Sequence, residues 1–548
     1  MSVKGYPDEL RYSIDRVNNS RRARLGTEFP RLTPQEKTNL LAAFHPDYRV
    51  ESKRELRVGP NRGERVPREL ADLLEGKSWI DPERFHPDRV DYETDVLVIG
   101  GGGAGCTASL LACEQGARVV LATKLRLGDS NTIMAEGGIA AATEREDSPM
   151  LHYLDTVGGG RYENVPELVE ALVLDAPLVV EWLEDLGVVF DRRPDGSILT
   201  HAPGGHCRRR SHSCKDLTGL EIMRVLRDEV RNKNIEVMEF CAVVELLLDE
   251  NGNCSGAVLY NFDNQEYLVV RAGAVILTTG GMGRLHINGF PTSNHYGATA
   301  DGLVVSYRAG APLLYVDAVQ YHPTGVVWPD QMLGYLITEA LRAHGAHLVN
   351  ARGERFINEL ETRDAVASAI IRECREGRGV RTPTGTEGVW LDTPMIDITG
   401  GQGKMMHQFT GICKRFARYD IDVSVDPILV YPTQHYQNGG VKHDARGRTA
   451  VPGLFVAGEV GGGVHGRNRL GANSLVDIFV FGRRAGAAAA VYAREVRPGR
   501  LTLDHVRRFH RELREAGIDR PVTSPLLIPD YLDAGHKARQ YDGGGAIG

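Results

Sequence analysis

Gly100, Gly102 and Gly105 form a G-x-G-x-x-G pattern directly after the apolar run Val96-Leu97-Val98-Ile99. A helix is predicted from the pattern to about Gln115, where Gly116 can cap it. Arg118-Val119-Val120-Leu121-Ala122 then reads as a second strand buried on both faces. Strand, glycine turn, helix and strand together make an arrangement that holds a pyrophosphate. The glycines allow a tight turn and close approach of backbone, and the first helical turn offers unpaired N–H groups. The pattern is weak evidence alone, but in this context it points to a dinucleotide site. The second strand ends in Thr123-Lys124, where an NAD site carries an acidic residue for the ribose hydroxyls, so a plain NAD reading weakens. Two further apolar runs, 273–277 and 453–457, also end in glycine edges, at Thr279-Gly280 and at Gly458-Glu459. They are placed to line the same cleft. The eight cysteines include no C-x-x-C pair, so neither structural zinc nor iron–sulfur ligation is expected within this chain.

The elements that must position these residues belong to a chain of 548 residues, long enough for two or three domains or for one domain with a large insertion. Glycine, at 63 residues, is about 11% of the chain against roughly 7% on average, and it comes in short clusters bounded by apolar runs. No apolar stretch is long enough to span a membrane. A net charge of −7 with 7% aromatics disfavours a nucleic-acid protein. Ser20-Arg21-Arg22 is followed by no apolar segment, so it reads as basic surface and not as an export signal, and the expected location is the cytoplasm. Residues 1–90 stand apart, with 18 Lys/Arg and 15 Asp/Glu and frequent prolines. Two helices are predicted there, 34–44 and 67–74, each with a proline near its start. Such an arm buries little of its own surface and is expected to wrap the body or a partner. The fold class expected is α/β: a Rossmann-like domain over 91–318 and 433–490, interrupted by an α+β capping domain over 319–432. An extended N-terminal arm over 1–90 precedes it. A tail over 491–548 follows, with one amphipathic helix at 503–515 and a glycine-rich end.

Further along, the motifs keep a recognisable order. They are Ser130-Asn131-Thr132 with Glu136-Gly137-Gly138, then Gln320-Tyr321-His322-Pro323-Thr324-Gly325, then Thr338-Glu339 with Arg342 and Thr362-Arg363-Asp364. His435-Tyr436 follows with Gly439-Gly440, and then His465-Gly466, Asn468-Arg469-Leu470-Gly471 and Asn473-Ser474-Leu475. Over about 400 residues the chain resembles the fumarate reductase/succinate dehydrogenase flavoproteins. The resemblance implies FAD as cofactor. It places Gly100, Gly102, Gly103, Ala104, Gly105, Thr123 and Lys124 at the dinucleotide. Ser130, Asn131, Thr132, Glu136, Gly137 and Gly138 would embrace the flavin. Thr279, Gly280, Asp301, Gly458, Glu459, Arg469, Asn473, Ser474 and Leu475 would complete the site. Membrane-bound members attach FAD through a histidine, and that position here is Asn131; an amide cannot form the bond, so FAD is expected to be non-covalent. Losing that link generally lowers the flavin potential and favours substrate reduction.

The resemblance also assigns the chemistry. Hydride addition to a C=C flanked by carboxylates requires the carboxylates to be clamped and a proton delivered to the carbon opposite the hydride. His322, Thr338, His435 and Arg469 match the clamp. Arg363 matches the proton donor, with Glu339 and Arg342 as the relay that reprotonates it. The turn Arg342-Ala343-His344-Gly345-Ala346 departs from the R-G-x-G-G of membrane-bound enzymes and is closer to soluble fumarate reductases. The chain ends soon after the region of resemblance, without the long helical C-terminal domain of many members, and the N-terminal arm is placed to take over its surface. Residues 204–206, 208–210 and 216–219 look more like L-aspartate oxidase, but Pro203 stands where that enzyme has a glutamate for the substrate amino group. Arg208, Arg209 and Arg210 could flank the flavin phosphates, meet an acidic partner, or be solvated. The leading expectation is a flavoprotein subunit interconverting fumarate and succinate, with electrons from a separate iron–sulfur subunit that the arm helps dock. The alternatives are an L-aspartate oxidase-type enzyme, a reductase of another unsaturated acid, and an electron-transfer flavoprotein without a working substrate site.

Overall fold

Parallel strands carry the glycine turn to the edge of a large sheet. In the computed structural model, which describes residues 5–519, 522–529 and 531, Tyr92–Ile99 lies between Val119–Ala122 and Tyr267–Leu277, with Val98 opposite both Leu121 and Ile276. Glu236–Met238 extends the sheet beyond Val119–Ala122, and Leu454–Val456 pairs with the end of Tyr267–Leu277. The apolar runs are buried on both faces, as their unbroken hydrophobicity requires. The three strands that end in glycine edges therefore stop side by side: Gly100 follows Ile99, Thr278 follows Leu277, and Gly458 follows soon after Val456. Tyr267–Leu277 begins six residues before the expected 273 because its first half pairs with an antiparallel meander, Cys241–Asp249 and Cys254–Asn261. The long helix Asn473–Glu495 packs across Gly103–Glu114 beneath this edge. Gly482 and Gly486 let the two approach, since a Cβ on either would press into the backbone at Ala104 or Ala108.

A second sheet is antiparallel, ordered Val319–Val326, Ile428–Gln437, Glu387–Asp392 and His347–Val349. Its strand Ile428–Gln437 runs past the 432 expected as the end of the insertion, so the two histidine motifs occupy neighbouring strands of one sheet. Gln320 stands opposite Tyr436, and His322 opposite Thr433.

Residues 5–90 lie along both layers. Helix Pro34–Phe44 has its bounds as predicted, with a capping box between Thr33 and Glu36. The second expected helix runs Arg68–Leu74, with Pro67 as its N-cap. A third, Asp8–Arg24, was not expected: its buried stripe is only Leu10, Ile14 and Val17, an i, i+4, i+7 pattern masked by charge. Arg21, read from sequence as basic surface, pairs with Asp392 at 2.8 Å, and Arg24 joins the same buried carboxylate at 2.7 Å. The irregular link after Arg57 is pinned to the body: Asn61 exchanges two hydrogen bonds with Leu313, and Tyr307 donates to the Val58 carbonyl at 2.7 Å. Toward the C-terminus, helix Asp504–Glu515 matches the expected 503–515, while the glycine-rich end lies outside the described residues. No described helix is long and apolar enough to cross a membrane.

Candidate active site

Where the parallel strands end, a cleft of about 2210 Å³, counting its solvent-open mouth, runs from the glycine turn to the second sheet. Gly100 has φ of 120°, a conformation glycine adopts without strain. The helix Gly103–Glu114 starts at Gly102, which has no side chain to cap it; the Gly103 amide donates to Thr132 Oγ1 at 3.2 Å, and Gly102, Gly103 and Ala104 line the cleft. Thr279 Oγ1 and Glu136 Oε2 are buried without a protein partner, and both residues line the same cleft. A helix N-terminus on the cleft, a glycine cradle and unpartnered polar atoms fit a bound dinucleotide.

Most of the residues singled out for the cofactor line this cleft: Gly100, Gly102, Gly103, Ala104, Thr123, Lys124, Ser130, Asn131, Thr132, Glu136, Gly137, Gly138, Thr279, Gly280, Asp301, Glu459, Arg469, Ser474 and Leu475. Three do not. A Cβ on Gly105 would be driven into the Gly100 carbonyl, so this glycine shapes the turn from behind. Gly458 packs on Ala104 and Ile478 with φ of 75°. Asn473 is fully buried between His152 (2.9 Å) and Thr156 (3.0 Å) and orders the start of its helix. Lys124 forms an ion pair with Asp301 at 2.6 Å and donates to Thr299, so its charge is already matched. Asn131 donates to Asn294 at 2.7 Å and accepts from the His295 amide at 2.5 Å. Glu459, close to Asn131 and bonded to the Gln437 amide, is raised to about 7, chiefly by burial. Arg210 turns away from the phosphate end: it is fully buried against Asp147 (2.7 Å) and Asp155 (3.0 Å), while Arg208 and Arg209 are exposed.

At the other end the substrate candidates converge. The His322 and His435 rings lie 5.1 Å apart, edge to face. Ser293 Oγ and His435 Nδ1 share a hydrogen bond of 2.8 Å. Burial drives both imidazoles well below the ordinary histidine range, and the surrounding guanidiniums push the same way, so both are neutral at pH 7. Arg363 begins helix Arg363–Arg375, donating from Nε to Glu339 at 3.0 Å and from Nη1 to Gln320 Oε1 at 3.1 Å. Arg469 donates to that same Gln320 oxygen at 2.8 Å and lies over the Tyr436 ring at 4.4 Å. Arg342 reaches Glu339 at 3.3 Å but does not line the cleft. Burial alone would raise the Glu339 carboxyl; Arg363 and Arg342 outweigh it and hold the group at about 2. Glu339 Oε1 also accepts from the Gly204 amide at 2.7 Å, which gives the segment after Pro203 a structural task. Thr338 is buried beside these groups and lines the cleft. Two participants were absent from the sequence-based set. Gln320 is the acceptor that holds both arginines, and Tyr436 is the ring beneath Arg469; each lay inside a motif whose histidine drew the assignment.

The chain is similar to known proteins in sequence and in fold. The FAD binding domain family matches residues 95–475. A fumarate reductase (CoM/CoB) of Methanothermobacter marburgensis has a subunit that is 41% identical over 410 residues, 73% of each chain. The L-aspartate oxidase of Streptomyces coelicolor is 38% identical over 409 residues, covering 72% of this chain and 68% of that one. Among solved structures, a mutant FrdA of E. coli quinol fumarate reductase superposes with a TM-score of 0.70 at 32% identity, over 78% of this chain and 74% of that one. The Sdh1 complex of Mycobacterium smegmatis in its apo form gives 0.66 at 36% identity, over 82% and 76%. The chain belongs to the fumarate reductase/succinate dehydrogenase family of FAD-binding flavoproteins and is an FAD-dependent oxidoreductase.

Proposed function

We propose that this chain reduces the C=C bond of a four-carbon unsaturated dicarboxylate, fumarate to succinate, with non-covalently bound FAD. The observation that carries the reading is electrostatic. Arg363 and Arg342 both bond the Glu339 carboxylate, and buried Arg469 shares the Gln320 oxygen with Arg363 and forms no ion pair among the described residues, while the adjacent histidines are neutral. A buried cluster with that imbalance is costly until an anion enters, and a dianion compensates it. Burial, and then Arg363 nearby, pulls Arg469 down to about 9, a strain that a bound carboxylate relieves.

Bound FAD supplies hydride to a carbon placed against it. The protein's part is to hold the two carboxylates and to furnish one proton. Arg469, His435, His322 and Thr338, which line one cleft, would form the clamp. Arg363, fixed by its two hydrogen bonds, presents its remaining N–H groups to the cleft. A guanidinium is a very weak acid, so transfer requires a strongly basic carbon and immediate reprotonation. Glu339, bonded to both Arg363 and Arg342, is placed to pass that proton on. One hydride and one proton add to fumarate dianion to give succinate dianion, so charge balances. Electrons enter from a partner, for which we propose an iron–sulfur subunit, since the sequence offers no cluster-binding pair of cysteines.

The kinship to L-aspartate oxidase keeps a second reading, amine oxidation with oxygen or fumarate as acceptor. Pro203 argues against it, having no group for an ammonium. Steady-state assays separate the two. Fumarate reduction by reduced viologen is expected, with no peroxide formed from L-aspartate. Peroxide from aspartate without fumarate turnover would reverse the assignment.

A further inference from the structure

Arg363 and Glu339 line the cleft, but Arg342 lines a second, more open cavity of about 1210 Å³, counting its solvent-open mouth. The three side chains thus form a bridge between two spaces. Arg342 is 3% exposed, its Nη2 meets Glu339, its Nη1 donates to the Glu359 carbonyl, and its Nε is buried without a partner. One wall of the second cavity is the body, including Gly345, His347, Arg355 and Glu359. The opposite wall is residues 27–31 of the N-terminal arm. This wall is tied down by hydrogen bonds from Arg355 to the Thr27 carbonyl (2.6 Å) and from Asn358 to the Phe29 carbonyl (2.9 Å). Arg355 also lies over the Phe29 ring at 5.5 Å and clamps the Glu359 carboxylate at 2.6 Å. A polar space of this size accommodates water.

We propose that this cavity is where the proton supply reaches solvent, with Glu359 positioning Arg342 and the arm forming the outer wall of the route. The inference rests on the proposed function. For each turnover one N–H proton leaves Arg363 for the substrate carbon; the ionised Glu339 carboxylate accepts a proton from Arg342 and hands it to Arg363, and cavity water returns a proton to Arg342. Bulk solvent neutralises the hydroxide left behind, so one proton enters per proton consumed. The charged and titratable groups facing the space are Glu28 and Arg31 from the arm, and Arg342, His347, Arg355 and Glu359 from the body. Arg24 of the arm also reaches His347 at 3.2 Å.

Two variants of the full-length holoenzyme test this. Glu359→Gln keeps the backbone carbonyl that holds Arg342 in place but removes the nearby carboxylate charge that favours the protonated guanidinium, so reprotonation of Arg342 slows. It is expected to lower kcat for fumarate about tenfold, raise the solvent deuterium isotope effect, and leave KM and flavin content unchanged. Arg31→Glu lies on the exposed rim and costs one exposed hydrogen bond of 3.4 Å to the Leu360 carbonyl. A negative rim raises local proton activity, so the alkaline limb of the pH–rate profile is expected to move to higher pH, and high salt is expected to abolish the shift. Should Glu359→Gln fail to fold, the rim variant decides. Wild-type kcat, isotope effect and pH profile in the folded variants would place the proton route elsewhere and overturn the inference while wild-type fumarate reduction stands. A wild-type protein that reduces no unsaturated dicarboxylate would overturn the functional reading and the inference together.

Discussion

The two ends of the cleft are built from different material. At the glycine turn, backbone does the work: Gly100 to Gly105 are contiguous, and the ligand-facing groups are amides whose positions follow from strand, turn and helix. At the substrate end, side chains do the work: Gln320, Arg363 and Arg469 meet at one oxygen although Gln320 and Arg469 are 149 residues apart in the chain. The first is local geometry that tolerates no added atom. The second is an electrostatic arrangement that tolerates small changes of volume but no change of charge or hydrogen-bonding fork.

Substitutions at the two ends should therefore separate cofactor from turnover. The largest effect expected is from Arg363→Lys. Lysine keeps the charge but cannot hold Glu339 and Gln320 at once, so fumarate reduction should fall by roughly a thousandfold while flavin absorbance of the purified protein is unchanged. Gly105→Ala should do the reverse. Forcing a Cβ against the Gly100 carbonyl costs about 3 kcal/mol and opens the turn, so flavin content and melting temperature should both drop. Gln320→Leu removes the shared acceptor and leaves two guanidiniums facing each other. KM for fumarate should change more than tenfold, with flavin retained. If Gln320→Leu lost flavin, the two ends would not be independent.

The smallest effect expected is on acid stability. His322 and His435 titrate well below the unfolded value of about 6.5. Their contribution is intact above that pH and is lost as pH falls below it, because the unfolded chain then binds protons the native site refuses. The slope is at most roughly 1.4 kcal/mol per pH unit for each histidine. Urea midpoints at pH 7 and pH 5 should fall less in the His322→Gln/His435→Gln double variant than in the wild type.

The same contrast explains what could be read from the chain. The buried strands and the glycine turn were legible because apolar runs and glycine spacing act over a few residues. The two histidine motifs were legible as motifs, but that they sit on adjacent strands follows from the pairing of Val319–Val326 with Ile428–Gln437. Helix Asp8–Arg24 escaped notice because three apolar residues had to outweigh a charged surface. Arg21 and Arg210 looked like surface or phosphate-binding cations because their partners, Asp392 and Asp147, are remote in sequence. Gln320 passed unnoticed for the same reason: an amide gains importance only when two distant arginines arrive at its oxygen.

The measurement that bears most directly on the central claim is anaerobic reoxidation of the reduced protein, followed by flavin absorbance, with fumarate, crotonate and iminoaspartate offered in turn. Two guanidiniums sharing Glu339, with the unpaired guanidinium of Arg469 beside them, predict rapid reoxidation by fumarate and little by crotonate, which lacks the second carboxylate. Equal rates with both acids, or reaction with iminoaspartate alone, would contradict the account.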